Sequence, residues 1–351
     1  MTEPQHGTPP RRELGFLTNG SFSQHAAGGA AQGHKEAVEL FRIAEELGYD
    51  KGWIRNRHFD NFVASPLTVL AAASQHTTRI RLGTAIIPMG YEHPIRLAED
   101  AATVDLLSDG RLELGIASGI PTFNSVFHGT AAAPWPEAAH QRITGFIAAL
   151  RGASYGTTAA GDDLHLRPVS PGLGHRLWYG AASPESAARA AALGLDLVLS
   201  AIAPNTGLPF DRAQMSIVDA HRAGWTRKDR APRFSAARTF FPALNDRQRA
   251  LYRAYGDLRL TGGHNASRPP GALTPTERHV PGSAVSGAGL MSPVIVGDPA
   301  EVVDYLRGDA AVQAAGELMI FLPPGFTHRE NIELLENIVL HVAPHLGWSR
   351  A

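Results

Sequence analysis

A (β/α)8 barrel with insertions is the fold this sequence predicts, on three observations. Eight short apolar runs lack the alternation of a half-exposed sheet and read as strands buried on both faces. Helical patterns separate them, the order of a parallel sheet. Eight βα units close a barrel, and 351 residues suit one barrel with insertions. An open, doubly wound sheet uses the same alternation and stays the rival at this level.

Taken in order, residues 1–12 form a polar leader, expected to be disordered, and 13–351 form one domain. The strands are placed at Leu14–Leu17, Gly52–Ile54, Ile80–Ile87, Leu112–Ala117, Leu177–Gly180, Leu197–Ala201, Phe234–Phe240 and Leu318–Leu322. The first helix starts near His34. Leu40, Ile43, Ala44 and Leu47 recur at helical spacing, Lys35, Glu39, Arg42 and Glu46 form the polar stripe, and Gly48 stops it. Further helices fit Leu67–His76, Ile95–Leu107, Glu137–Arg151, Pro184–Leu193, Arg212–Ala223, Asp246–Gly256 and Asn331–Val342. Two stretches exceed the repeat. Residues 152–174 are rich in Gly and Pro, and Leu164-His-Leu-Arg-Pro suggests a hairpin there; residues 257–292 read as a lid or a disordered segment over the mouth.

Composition narrows the function. Apolar residues make up 44% and charged residues 19%, which is globular. Cysteine is absent, so disulfides, thiolate metal sites and thiol nucleophiles are excluded. A net charge of −1 advertises neither nucleic acid nor an anionic membrane. The N-terminus lacks the apolar core of a signal peptide, and no run reaches a membrane span, so a soluble, cytoplasmic protein is expected. The P-loop, nucleophile-elbow, HExxH and EF-hand patterns are missing, and LTNGSFSQH after the first strand is not the dinucleotide fingerprint. The histidines show no metal spacing; His341 and His345 are separated by Pro344, which ends a helix. No metal is expected.

Chemistry-bearing residues collect at strand exits, where a barrel keeps its active site. GYDKGWIRNRHFD (48–60) sets Arg55, Asn56, Arg57, His58 and Asp60 after the second strand, as mouth residues or as an ordinary loop. The third strand ends in Thr84, Ala85 and Ile86, small enough for a flat ligand or simply for close packing. Ala117, Ser118 and Gly119 leave the fourth strand with almost no bulk. After the fifth, Gly180-Ala-Ala leads to Ser183 as N-cap and Pro184 at N1. Free amides and the positive helix end there suit a phosphate, though capping alone explains the pattern.

Together GWIRNRHF, GTAIIPMGYEHPIRLAED, LLSDGRLELGIASG and GAASPESAARAAALG resemble the bacterial luciferase-like, flavin-dependent monooxygenase superfamily, over roughly Leu14 to Trp348. The resemblance implies a (β/α)8 barrel that binds reduced FMN, or in one branch a deazaflavin. It implies that Thr84 and Ala85 lie beside the flavin ring, with a non-proline cis peptide sought at Ala85–Ile86. Ser118, Gly119 and Asn124 would line the flavin pocket, and Ser183 and Ser186 the phosphate end. Arg57 stands where luciferases proper carry a catalytic histidine, and His58 follows; Ala117 replaces a cysteine. Arginine stays protonated, so Arg57 would pair with an anion while His58 acts as acid or base.

The implied activity is a two-component monooxygenase. A flavin reductase supplies FMNH2, and O2 adds at the flavin C4a to oxygenate a small organic substrate. A homodimer is implied as well. A deazaflavin (F420)-dependent oxidoreductase on the same barrel is the alternative, and a non-catalytic flavin-binding protein the alternative of another class.

Overall fold

The computed structural model describes residues 11–22, 28–129, 134–260, 285–286 and 289–350. The strands are β1 (Glu13–Thr18), β2 (Lys51–Ile54), β3 (Arg81–Pro88), β4 (Leu112–Ala117), β5 (Leu177–Ala181) and β6 (Asp196–Leu199), then β7 (Ile202–Ala203), β8 (Phe234–Pro242), β9 (Val285–Ser286), β10 (Gly289–Met291), β11 (Val294–Gly297) and β12 (Glu317–Phe321). The helices are α1 (Gly29–Leu47), α2 (Pro66–Ser74), α3 (Pro94–Leu107), α4 (Asn124–His128), α5 (Trp135–Leu150) and α6 (Pro184–Ala192), then α7 (Phe210–Gly224), α8 (Asp246–Leu260), α9 (Pro299–Gly308), α10 (Ala310–Ala314) and α11 (His328–His341).

Strands β1 to β6 pair in sequence, β6 pairs with β8, β8 with β12, and β12 returns to β1, all parallel. The sheet is therefore a closed eight-stranded barrel, as the count of apolar runs predicts, and the open sheet is excluded. The long β8 also holds β11 along its upper end, from Thr239 to Pro242. A small antiparallel sheet, β7-β10-β9, stands beside it.

Alternate residues of each strand face the barrel axis, and they stack in layers. The floor is ionic. Lys51 Nζ lies 2.8 Å from Glu13, 3.5 Å from Glu113 and 3.2 Å from Glu317. Arg81 bridges Glu13 and Glu113, and Arg233 reaches Glu113 at 3.4 Å. Three cations thus meet three carboxylates. Above them lie Trp53 and Trp178, edge to face with centroids 5.6 Å apart, among Val198, Ala237 and Met319. Each indole N–H donates downward, Trp53 to Glu317 at 2.6 Å and Trp178 to Glu113. Gly83 makes room for this layer, since a Cβ there would come within 2.2 Å of the Trp53 ring. The top layer, with Leu17, Arg55, Ala85, Gly180, Ser200, Thr239 and Phe321, leaves a cavity open at the C-terminal mouth.

Some expectations shift. Helix α1 begins at Gly29, five residues before His34, because Gly28 enters it at φ +82° and the Gly/Ala-rich first turn hides the apolar period. Helix α8 does not stop at Gly256 but runs to Leu260. Gly256 stays helical with open room around it, a Cβ there meeting only Val294 at 3.7 Å. Strands β7 and β11 and helices α9 and α10 are not anticipated by the hydrophobic pattern, although Asp298 and Glu301 form a readable capping box at the start of α9. The expected hairpin in 152–174 sits earlier than Leu164-His-Leu-Arg-Pro: Tyr155 N–H donates to Leu164 O at 2.7 Å and Leu164 N–H to Gly156 O at 2.8 Å. Residues 1–10 of the leader and 261–284 and 287–288 of the expected lid lie outside the described residues.

The floor makes stability depend on acid. Burial alone would raise the Glu113 carboxyl, but Lys51, Arg233, Arg81 and the Trp178 N–H outweigh it and hold it at about 2, below its ordinary 4.5. Its stabilisation is therefore complete above pH 4.5 and is lost as pH falls toward 2. Glu113→Gln is expected to cost about 3–5 kcal/mol in urea unfolding at pH 7, the scale for breaking a buried ion pair. It should also flatten the loss of stability below pH 4.5; an unchanged acid slope would contradict this account.

Candidate functional site

The cavity at the mouth has a volume of about 220 Å³. That is below the roughly 300–1,000 Å³ usual for whole small-molecule sites, so it suits a ring system more than an entire nucleotide. Its walls are unlike each other. On the side of β3, β5 and β6 it is built from Ala85, Ile86, Gly180, Ala182, Val198 and Ala201. On the side of β2 and β8 it carries Arg55, Arg238, Thr239 and Arg259. Met291 and Ile202, from the small antiparallel sheet, complete it.

The apolar wall is flat because its side chains are short. A Cβ on Gly180 would reach within 2.9 Å of Ile86, so the residue is small by necessity. The Ala85–Ile86 peptide is cis, at the bond singled out from the sequence. Ala85 lines the cavity, whereas Thr84 sits behind it. The Thr84 hydroxyl donates to Gly115 O at 2.9 Å and accepts from Gly115 N–H at 3.1 Å, which ties β3 to β4.

One residue past Ala182 the wall becomes the N-terminus of α6. Ser183 Oγ accepts from Ser186 N–H, and Ser186 Oγ accepts from Ser183 N–H, both at 3.3 Å. These two hydroxyls and the positive end of the helix are the groups able to meet a phosphate. Ser118 and Gly119 lie apart from the cavity, along a groove between α5 and α6 with Trp135, His140, Tyr179 and Arg189. Ser118 Oγ is 3.2 Å from the Tyr179 hydroxyl, and Gly119 O accepts from the Trp135 indole at 3.2 Å. Asn124 opens the short α4 and is half-buried.

The strand-two exit separates its residues. Arg57 and His58 do not line the cavity. The Arg57 guanidinium pairs with Asp60 at 3.1 Å and lies over Phe62, so its charge is matched within its own loop. His58 is set edge-on to Tyr91 and Phe127, with centroids 5.4 and 4.9 Å away. Its Nε2 is buried without a hydrogen-bond partner, and burial lowers its pKa below the ordinary 6.5. Phe59, at φ +55° and 68% exposed, packs on Phe123 and Phe127 to extend this aromatic cluster outward.

Arg55 is the cation of this exit that reaches the cavity. Burial first, then the neighbouring Arg57 and Arg259, push its pKa down to about 10. Arg259, 4% exposed, donates from Nη1 to Thr239 Oγ1, while its Nε has no partner. The Tyr255 hydroxyl is buried nearby without an acceptor or donor in hydrogen-bond geometry, and burial raises its pKa against the pull of both arginines. Arg238 differs, because Asp309 holds it with two bonds of 2.7 and 2.8 Å. Sequence reading passed over Arg259, although its place three residues past Gly256 on one helical face was a visible signal.

A family model described as luciferase-like monooxygenase matches residues 14–316. The oxygenase component of a flavin-dependent trigonelline monooxygenase from Acinetobacter baylyi is 38% identical over 92 residues, 26% of either chain. An F420-dependent glucose-6-phosphate dehydrogenase from Intrasporangium calvum is 34% identical over 111 residues, 30% of this chain and 33% of that one. The chain thus aligns with about a quarter to a third of the length of these curated relatives. The crystal structure of apo-MsnO8 shares the fold, with a TM-score of 0.72 and 21% identity over 97% of this chain and 100% of that one.

The environment of His58 sets a titration. Because burial disfavours its charged form, the unfolded chain takes up the proton first as pH falls below 6.5, and stability drops from there. The imidazole resonance that vanishes in His58→Asn should titrate below pH 6.5, with stability of the variant less sensitive to that descent. A midpoint at or above 6.5 would show that the ring is not shielded as described.

Proposed function

The chain belongs to the luciferase-like monooxygenase family, and we propose that it is the oxygenase of a two-component system, using reduced FMN and O2 to oxygenate a small organic substrate. One observation carries this reading: the small-residue wall of Ala85, Gly180 and Ala182 runs without interruption into the Ser183 cap of α6. A flat ring against that wall would leave its phosphate tail at the helix end. When bound, reduced FMN supplies the two electrons with which one atom of O2 enters the substrate and the other leaves as water.

The chain's own residues then have separable tasks. Ala85, Ile86, Gly180 and Val198 would offer the ring a dry, close surface, and Ser183 and Ser186, now bonded within the helix cap, would hold the phosphate with their hydroxyls. Among the strand-two groups, His58 is the one able to exchange a proton, with its pKa lowered by burial, whereas Arg57 is bound to Asp60. Met291 and Ile202 keep water from the open side. A relative named as an oxygenase component supports delivery of reduced flavin by a separate reductase. The proposal includes a homodimer, which light scattering on the eluted protein tests directly.

The experiment is anaerobic titration with FMNH2 followed by stopped-flow mixing with oxygenated buffer. The protein should bind reduced FMN and slow its reoxidation at least tenfold relative to free FMNH2. Gly180→Val should weaken FMN binding at least tenfold with an unchanged circular dichroism spectrum. Reoxidation at the free rate would sink the monooxygenase reading. Tight binding of reduced deazaflavin in its place would move the protein to the hydride-transfer branch that the F420-dependent relative represents.

A further inference from the structure

We infer that Arg55 and Arg259 form an anion-binding subsite in the barrel mouth that takes the carboxylate of the organic substrate. The inference rests on the reading of this cavity as the active site and names the substrate class for it: a small, largely apolar monocarboxylate.

Charge balance is the first argument. Among the described residues, the other buried cations are matched, Lys51 by Glu13, Glu113 and Glu317, and Arg238 by Asp309. Arg55 and Arg259 line the cavity together, and neither has a carboxylate within 4.0 Å among the described residues; no acidic side chain is on the cavity wall. Two guanidinia held close without an anion repel each other, and an enclosed charge without a partner costs several kcal/mol. An incoming anion removes both costs.

Unmet donors are the second argument. Arg259 is nine-tenths buried and lines the cavity, yet its Nε has no acceptor. The guanidinium fork matches the two oxygens of a carboxylate.

Placement decides whose anion it is. The flat wall for a ring is on β3, β5 and β6, while Arg55 stands on the β2 exit and Arg259 reaches over β8 to Thr239. A ring against the first wall leaves the cations facing what lies on its other side, which is the substrate. Leu17, Phe321 and Met291 surround them, so the remainder of the substrate is apolar. The cavity of about 220 Å³ is shared with the ring, so the part of the substrate it encloses is small.

Benzoate and benzamide are the probes, equal in shape and different in charge, titrated calorimetrically into the full chain with and without saturating oxidised FMN. Benzoate should bind at least tenfold more tightly than benzamide. Arg55→Met and Arg259→Met should each weaken benzoate at least tenfold, Arg55→Lys should recover part of the loss, and FMN affinity should change less than twofold. Equal binding of the two probes, or benzoate binding indifferent to Arg55→Met and Arg55→Lys, would overturn the subsite. Loss of reduced-FMN affinity in these variants, with no benzoate bound by the parent, would assign the cations to the flavin and also overturn it. Benzoate bound through Arg55 by a protein that does not take FMN would uphold the subsite and refute the proposed function alone.

Discussion

The ionic floor of the barrel is the constraint from which the mouth follows. Lys51 is enclosed among Glu13, Glu113 and Glu317, and its charge stays in place because three carboxylates outweigh the cost of burial. Glu317 shows the opposite balance, its pKa raised because burial outweighs Lys51 and the Trp53 N–H. Side chains on a strand alternate with a period of two, so a residue committed to the floor commits every second residue above it. Lys51 inward sets Trp53 and Arg55 inward; Arg81 sets Gly83 and Ala85; Glu317 sets Met319 and Phe321. A slip of one residue in β2 would turn Arg55 to the outside. The charges at the bottom thereby hold the register of the chemistry at the top.

The two indoles transmit this order. Trp53 and Trp178 each bind a floor carboxylate and fill the barrel with their rings, so the cavity begins above them and not deeper. The mouth they leave has one smooth side and one cationic side. That asymmetry suits an enzyme of the luciferase-like family, which must lay a flavin flat, keep water away, and still tell substrates apart. The flat side is made of residues with little to vary, and the cationic side carries Arg55, Arg238 and Arg259.

Much of the barrel was legible because strands buried on both faces leave continuous apolar runs, and all eight are found within a few residues of their expected ends. The cap at Ser183 was legible for a local reason, since Ser, Pro and a polar N3 residue specify a helix start by themselves. The arginine that lines the cavity was not. In the run Arg55-Asn56-Arg57 the two arginines are alike as sequence; they differ because Arg57 N–H bonds back to Val63 O, folding the loop so that Asp60 takes the second guanidinium. Arg259 lies beyond the expected helix end at Gly256, on a helix that continues to Leu260.

Local pattern, then, determined the barrel, its strand order and the small residues at the exits of β3 and β5, because periodicity and capping act over a few residues. Tertiary structure decided which cations keep a free charge, that Thr84 bonds to Gly115 behind the cavity wall, and that His58 sits among Tyr91 and Phe127. The Lys51 charge is matched by carboxylates brought from other strands, and no spacing within one segment encodes that.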